Sequence, residues 1–152
     1  GYHSDAARTH AVGEVSEEAK KLIQVTKECF FEGIKYAKAG NHLFDISGAI
    51  GRYAEERGYG VVRDLCGHGI GTALHEAPEI PNYEVGRKGV KLRPGMTLAI
   101  EPMINIGTYE VDWLDDDWTV VTRDGSLSAH YENTILITEG EPRILSLTCD
   151  NE

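Results

Sequence analysis

Apolar residues recur at helical spacing only in the first third of the chain. After Ser16, the residues Leu22, Val25, Cys29, Phe30, Gly33, Ile34 and Ala37 fall on one face, the period of a helix laid against a core. Ser16 suits the N-cap, with Glu17 and Glu18 in the first turn where the helix dipole favours acids. Gly40 marks the expected stop. A second helix is expected after Asn41, with Leu43, Ile46, Ile50, Tyr53 and Ala54 on its core face and Gly58 at its end. Both faces read as scaffold.

From Tyr59 the pattern shortens to β-prone runs at Val61-Val62, 96–106, 118–122, 129–138 and 143–147, separated by Gly and Asp turn signals. Ahead of the helices, residues 1–12 lead into Ala11-Val12-Gly13 and read as a strand remnant. Helices first and antiparallel strands later predict an α+β fold in which the helices cover one face of an antiparallel sheet, leaving the other face for a site. Pro78, Pro81 and Pro94 mark one long connection.

Composition narrows the class of protein. The 152 residues suffice for a single domain with a sizeable core, and 41% hydrophobic with 26% charged residues is globular. A formal charge of -10 argues against nucleic acid or an anionic membrane as partner, since both require a basic face. Cys29, Cys66 and Cys149 are odd in number and lack CxxC spacing, so a reduced, cytoplasmic protein is expected rather than a disulfide framework or structural zinc site. No apolar run approaches the length of a membrane span, and no signal-peptide pattern opens the chain.

Chemistry concentrates at Cys66-Gly67-His68-Gly69-Ile70-Gly71, with His75-Glu76 just beyond. Flanking glycines leave few side chains to obstruct His68, and imidazole is the commonest protein metal ligand. A satisfied histidine in a glycine-rich turn is the competing reading, which nearby carboxylates decide. In 97–101, strand alternation puts Thr97, Ala99 and Glu101 on one face, and Pro102 is expected to interrupt the strand just past the acid. In 128–134, alternation aligns His130, Glu132 and Thr134. A charge on an otherwise β-prone run needs a partner. One histidine plus carboxylates from separate strands suits borderline to hard divalent ions such as Mn, Fe, Co or Zn. Strand-end ion pairs with Lys and Arg are the alternative.

Three other patterns fail. Asp112, Asp115, Asp116 and Asp117 lack the alternation and closing Glu of an EF-hand and read as a solvated turn. The glycine run has no P-loop Lys. His75-Glu76 is followed by Glu79 where a zincin would have its second His.

Taken in order, Gly67-His68-Gly69-Ile70-Gly71, His75-Glu76-Ala77-Pro78, Pro94-Gly95-Met96, Ile100-Glu101-Pro102-Met103, Trp118-Thr119-Val120 and the run 128–134 resemble the bacterial-type (type I) methionine aminopeptidases. The resemblance spans essentially the whole chain. It implies the two-metal pita-bread fold and metal-dependent removal of N-terminal methionine from peptides and nascent proteins. It further implies that Asp5 and Glu132 bridge metals, that His68 and Glu101 hold one of them, that His75 and Glu101 are catalytic, and that His75, Leu74, Trp118 and His130 face substrate. Departures are Asn133 where His is common, His130 where Gln is common, and Leu74 where a larger side chain is usual.

In that family another metal-binding Asp and much of the methionine pocket come from an N-terminal half. This chain opens on Gly1-Tyr2-His3-Ser4-Asp5 without an initiator Met. It is therefore expected to be a partial catalytic domain, with 1–13 the last strand remnant of the N-terminal half and 14–152 the C-terminal half. The resemblance then implies one metal site in this stretch against two in the complete enzyme, and association with the missing half or with itself. Alternatives are a non-catalytic peptide-binding module on the same fold, or a proline-specific relative. The latter typically reads E-P-G where this chain has Glu101-Pro102-Met103.

Overall fold

A computed structural model describes residues 1–147; Cys149 lies outside them. Two helices, α1 (Glu17–Ile34) and α2 (Leu43–Glu55), follow a short strand β1 (Ala6–Arg8). Next come β2 (Gly60–Val61), β3 (Gly67–Gly69), β4 (Glu76–Ile80), β5 (Thr97–Ile100) and β6 (Met103–Asn105). The last elements are β7 (Val111–Trp113), β8 (Val120–Thr122), β9 (Ser128–Leu136) and β10 (Arg143–Ile144). Every strand pair is antiparallel.

Ser16 caps α1 as expected, its hydroxyl accepting from Ala19 N at 3.1 Å. The helix ends six residues before Gly40, however. Its last turn tightens as Tyr36 N and Ala37 N donate to Gly33 O and Ile34 O, and Ala37 reaches the core from the turn beyond. Helix α2 ends near Gly58, which adopts φ +82°. The two helices pack together where Gly33 lets Ile50 approach: a Cβ there would lie 2.6 Å from Ile50 Cγ1.

Strand β9 is the spine of the sheet. One of its edges carries β6 and then β5, the other β1 and β10, and the order continues from β5 through β3 to β4. Period-two alternation sorts its residues. Ala129, Tyr131 and Ile135 join Leu98, Ile100 and Ile104 in the core beneath Leu22, Phe30, Leu43, Ile46 and Ile50 of the helices. The Phe30 and Tyr131 rings meet at 5.3 Å. Residues His130, Glu132 and Thr134 take the opposite face. A helix layer on one face and a polar opposite face is the architecture the pattern predicts.

Several strands were not legible. The Pro-rich connection contains β4, and the acidic stretch contains β7, which pairs with β8 as a separate hairpin. Neither has clean alternation. The 96–106 run breaks after Ile100 and resumes at Met103, as Pro102 demands.

Candidate metal centre

Cross-strand register assembles the polar face. His68 opposes Ala99, Ala99 opposes Thr134, Met103 opposes His130, and Ala7 opposes Glu132. Directly opposed residues share a face, so His68, His130 and Glu132 converge, with Glu101 emerging where β5 stops. Gly67 and Gly69 point the other way, against Ile80 and Leu98. A Cβ on either would collide with the carbonyl of Ala99 or Ala77. The glycines beside His68 thus serve close strand packing on the reverse face, not access to the imidazole.

His68 is buried and its orientation is set by one contact. Its Nδ1 lies 2.8 Å from Gly69 O. A carbonyl oxygen only accepts, so Nδ1 carries a proton, and in the neutral ring the lone pair is on Nε2. That lone pair points into carboxylates: Nε2 lies 3.4 Å from Glu101 Oε1 and 3.8 Å from Asp5 Oδ2. Two ligand-capable groups result, His68 with Glu101 and Glu132, and His68 with Asp5 and His75; within each, the donor atoms lie within 4.8 Å of one another.

The acids are held by main-chain clamps. The Thr134 hydroxyl accepts from Asp5 N and donates to Asp5 O, both at 2.9 Å, which fixes the residue just ahead of β1. Glu132 is 3% exposed, and its Oε1 has no hydrogen-bond partner among the described residues. Burial, then the charges of Glu101 and Asp5, push its carboxyl up to about 8, with Arg8 pulling the other way. A buried carboxylate with an unmet oxygen beside two other acids and a lone-pair nitrogen is costly without a cation. The mixed N and O donor set suits a borderline divalent ion.

These side chains open on a cavity of about 830 Å³ whose lining includes His68, His75, Glu79, Glu101, Met103 and His130. The His68 and His75 rings meet edge to face at 4.3 Å. His130 Nε2 stands 3.5 Å from Glu101 Oε2, so the two oxygens of Glu101 face different histidines. Asp5, His68, His75, Glu101, Glu132 and His130 are therefore brought together. Trp118 and Leu74 are not. Trp118 is 85% exposed on the β7–β8 turn, and Leu74 lies exposed in the turn before β4. Neither lines this cavity, because both sit on turns that the sheet does not fold over it. Leu65, Cys66 and Met103 provide its apolar wall instead. Strand alternation from His68 back to Cys66 would have found one of these; the others depend on β2, β6 and their connections.

A divalent-ion donor set on this fold fits one family, and the chain belongs to it: metallopeptidase family M24, whose sequence model matches residues 1–139. It is 60% identical over 147 residues to the methionine aminopeptidase of Clostridium acetobutylicum and 58% identical to that of Clostridium perfringens, covering 97% of this chain and 59% of each relative. The crystal structure of the Thermotoga maritima methionine aminopeptidase superposes with a TM-score of 0.93 at 49% identity, over 97% of this chain and 59% of that one. The prolidase of Pyrococcus furiosus superposes less closely, with a TM-score of 0.73 at 28% identity, over 38% of its own length. The chain thus spans about 59% of the length of the methionine aminopeptidases it matches.

Proposed function

We propose that this chain provides one metal position and part of the substrate cavity of an enzyme that removes N-terminal methionine from peptides and nascent proteins in the cytoplasm. The observation that carries the reading is the convergence of His68 Nε2 with the Glu101, Glu132 and Asp5 carboxylates beside a cavity that His68 and Glu101 line. Identity to methionine aminopeptidases supports the substrate. No helix among the described residues is long and apolar enough to cross a membrane.

His68, Glu101, Glu132 and Asp5 would hold a divalent ion such as Mn, Fe, Co or Zn, and Asp5 and Glu132 would extend toward a second ion in the longer protein. An ion held there would supply Lewis-acid polarisation of the scissile carbonyl and a lowered pKa of the attacking water. The protein's own groups then divide the remaining work. Glu101 receives the water proton and returns it to the leaving amine. Its Oε2 faces His130, whose Nε2 has no hydrogen-bond partner among the described residues and would donate to the peptide. His75, at the open side of the cavity, donates to the peptide carbonyl as negative charge develops there. Met103 and Leu65 keep the floor dry, and Trp118 and Leu74 supply apolar area that the rest of the longer fold would enclose around methionine.

Residues 1–13 would then belong with the last strand of a first half and the residues from 14 onward with a second half, and the surface that a first half would cover is where that half, or a second copy, would bind. The test measures bound metal and product together. The isolated chain binds one Mn²⁺ per molecule and releases no methionine from a Met-Ala-Ser peptide; the protein extended to the length of its relatives does release it, and Glu101→Gln abolishes that release. Absence of bound metal, or preferential cleavage before proline, would overturn the reading.

A further inference from the structure

Glu101 sits at a break in the sheet, where the ladder cannot orient it. β5 ends at Ile100, β6 begins at Met103, and Pro102 has no N–H to donate. Two contacts hold the main chain across this gap. Tyr131 N donates to Pro102 O at 3.2 Å, and the Asn82 side chain donates through Nδ2 to Glu101 O at 3.0 Å. Asn82 is 1% exposed, two residues beyond the end of β4. Its hydrogen bond spans 19 residues of sequence and ends on the peptide group of the proposed ligand.

The seat of Asn82 is built by helix α2. A Cβ on Gly51 would stand 2.8 Å from Tyr83 Cα, 3.2 Å from Asn82 O and 3.3 Å from Glu84 N. One turn earlier, a Cβ on Gly48 would stand 2.6 Å from Glu84 Oε2. Glycine inside a helix is unfavourable relative to alanine. Here it lets the 82–84 backbone lie directly on the helix, and the Arg52–Glu84 ion pair closes over the same loop.

We infer that Asn82 is a positioning residue for the metal centre: its side-chain amide, seated by Gly51, fixes the Glu101 peptide plane and through it the direction of the Glu101 carboxylate toward His68 and Glu132. This rests on Glu101 being a metal ligand. Without the amide donor the peptide at the break rotates, and the carboxylate turns with its Cα–Cβ bond. Partners beyond the ligands themselves typically change metal affinity about 10–100-fold when removed.

Asn82→Asp and Asn82→Ala separate a donor from a filler, because Asp keeps the volume of Asn but an ionised Asp offers the Glu101 carbonyl no proton. Mn²⁺ affinity, read by electron paramagnetic resonance below the melting temperature, is expected to fall about 10–100-fold in both variants. The ¹³C resonance of the Glu101 carbonyl in the metal-free protein is expected to shift upfield in both. Gly51→Ala keeps the Asn82 amide but displaces the loop that carries it, and gives the same two changes more weakly, which keeps the inference testable where Asn82 variants fold poorly. Asn82→Asp or Gly51→Ala that lowers the melting temperature yet binds Mn²⁺ like the parent, with the resonance unmoved, overturns the inference and leaves the ligand reading intact. Parent protein whose Mn²⁺ binding is indifferent to Glu101→Gln removes both.

Discussion

Asp5, Glu101 and Glu132 crowd around His68 at the sheet, whereas Glu110, Asp112, Asp116 and Asp124 decorate the β7–β8 hairpin and its flanks. The two regions use the same carboxyl chemistry in opposite ways. On the hairpin every one of these acids has a local partner. Arg123 reaches Asp112 and Glu110 at 2.9 and 2.8 Å. Asp116 accepts from Trp118 N and Thr119 N, and Asp124 accepts from Thr108 N and Ser126 N. Hydrogen bonds from Ser126 and Thr108 accordingly pull Asp124 down to about 2, and Arg123 lowers Asp112. At the sheet, burial and like charges push Glu132 the other way, and one of its oxygens goes unmet. An acid satisfied by its own loop shapes that loop. An acid whose needs the described residues leave unmet is suited to a cation.

That contrast can be broken most directly with metal. Glu132→Gln or His68→Ala is expected to weaken Mn²⁺ binding by more than about 100-fold, since each removes a ligand rather than a supporting partner, while Asp116→Asn leaves the affinity unchanged by titration calorimetry. Equal losses from both regions would end the distinction.

A second, smaller effect lies in opposite pH slopes of the metal-free protein. Glu132 has a folded pKa of about 8 against an ordinary 4.5. Between those values the folded state holds a proton that the unfolded state releases, so stability falls as pH rises through that window. Asp124 runs in reverse: with a folded pKa of about 2 against 3.8, its contribution is complete above the unfolded value and is lost as pH falls toward 2. Thermal melts with chelator present are expected to show a drop of several degrees from pH 5 to pH 8 that Glu132→Gln flattens. Added Mn²⁺ removes the same drop by favouring the charged form.

The smallest effect concerns the hairpin alone. Asp124→Asn is expected to lower the melting temperature slightly at pH 7 and to reduce the acid-side decline, because exposed contacts are weakened by solvent. Mn²⁺ affinity stays as it was. A change in affinity would show that the hairpin couples to the centre.

What could be read from the chain follows the range of the interactions involved. Both helices, the cap at Ser16, the break at Pro102 and the shared face of His130, Glu132 and Thr134 rest on local periodicity and backbone chemistry, and all are present. The run of motifs from Gly67 to Thr134 was specific enough to indicate the family. β4 and β7 escaped because prolines and acids erase alternation, and their pairing energy comes from partners elsewhere. The early end of α1 escaped because Gly40 terminates a turn rather than the helix.

By itself, then, the sequence determined an α+β fold and the family to which the chain belongs, and it marked the histidine and carboxylates that the fold brings together, because periodicity, side-chain type and motif order are recorded along the chain. Only the tertiary structure decided that Gly67 and Gly69 serve strand packing, that Trp118 and Leu74 stay outside the cavity, and that Thr134 and Asn82 grip the main chains of Asp5 and Glu101. The physical reason is distance along the chain. Those contacts join residues 19 or 129 positions apart, and no periodicity records which distant backbone a buried amide or hydroxyl will find.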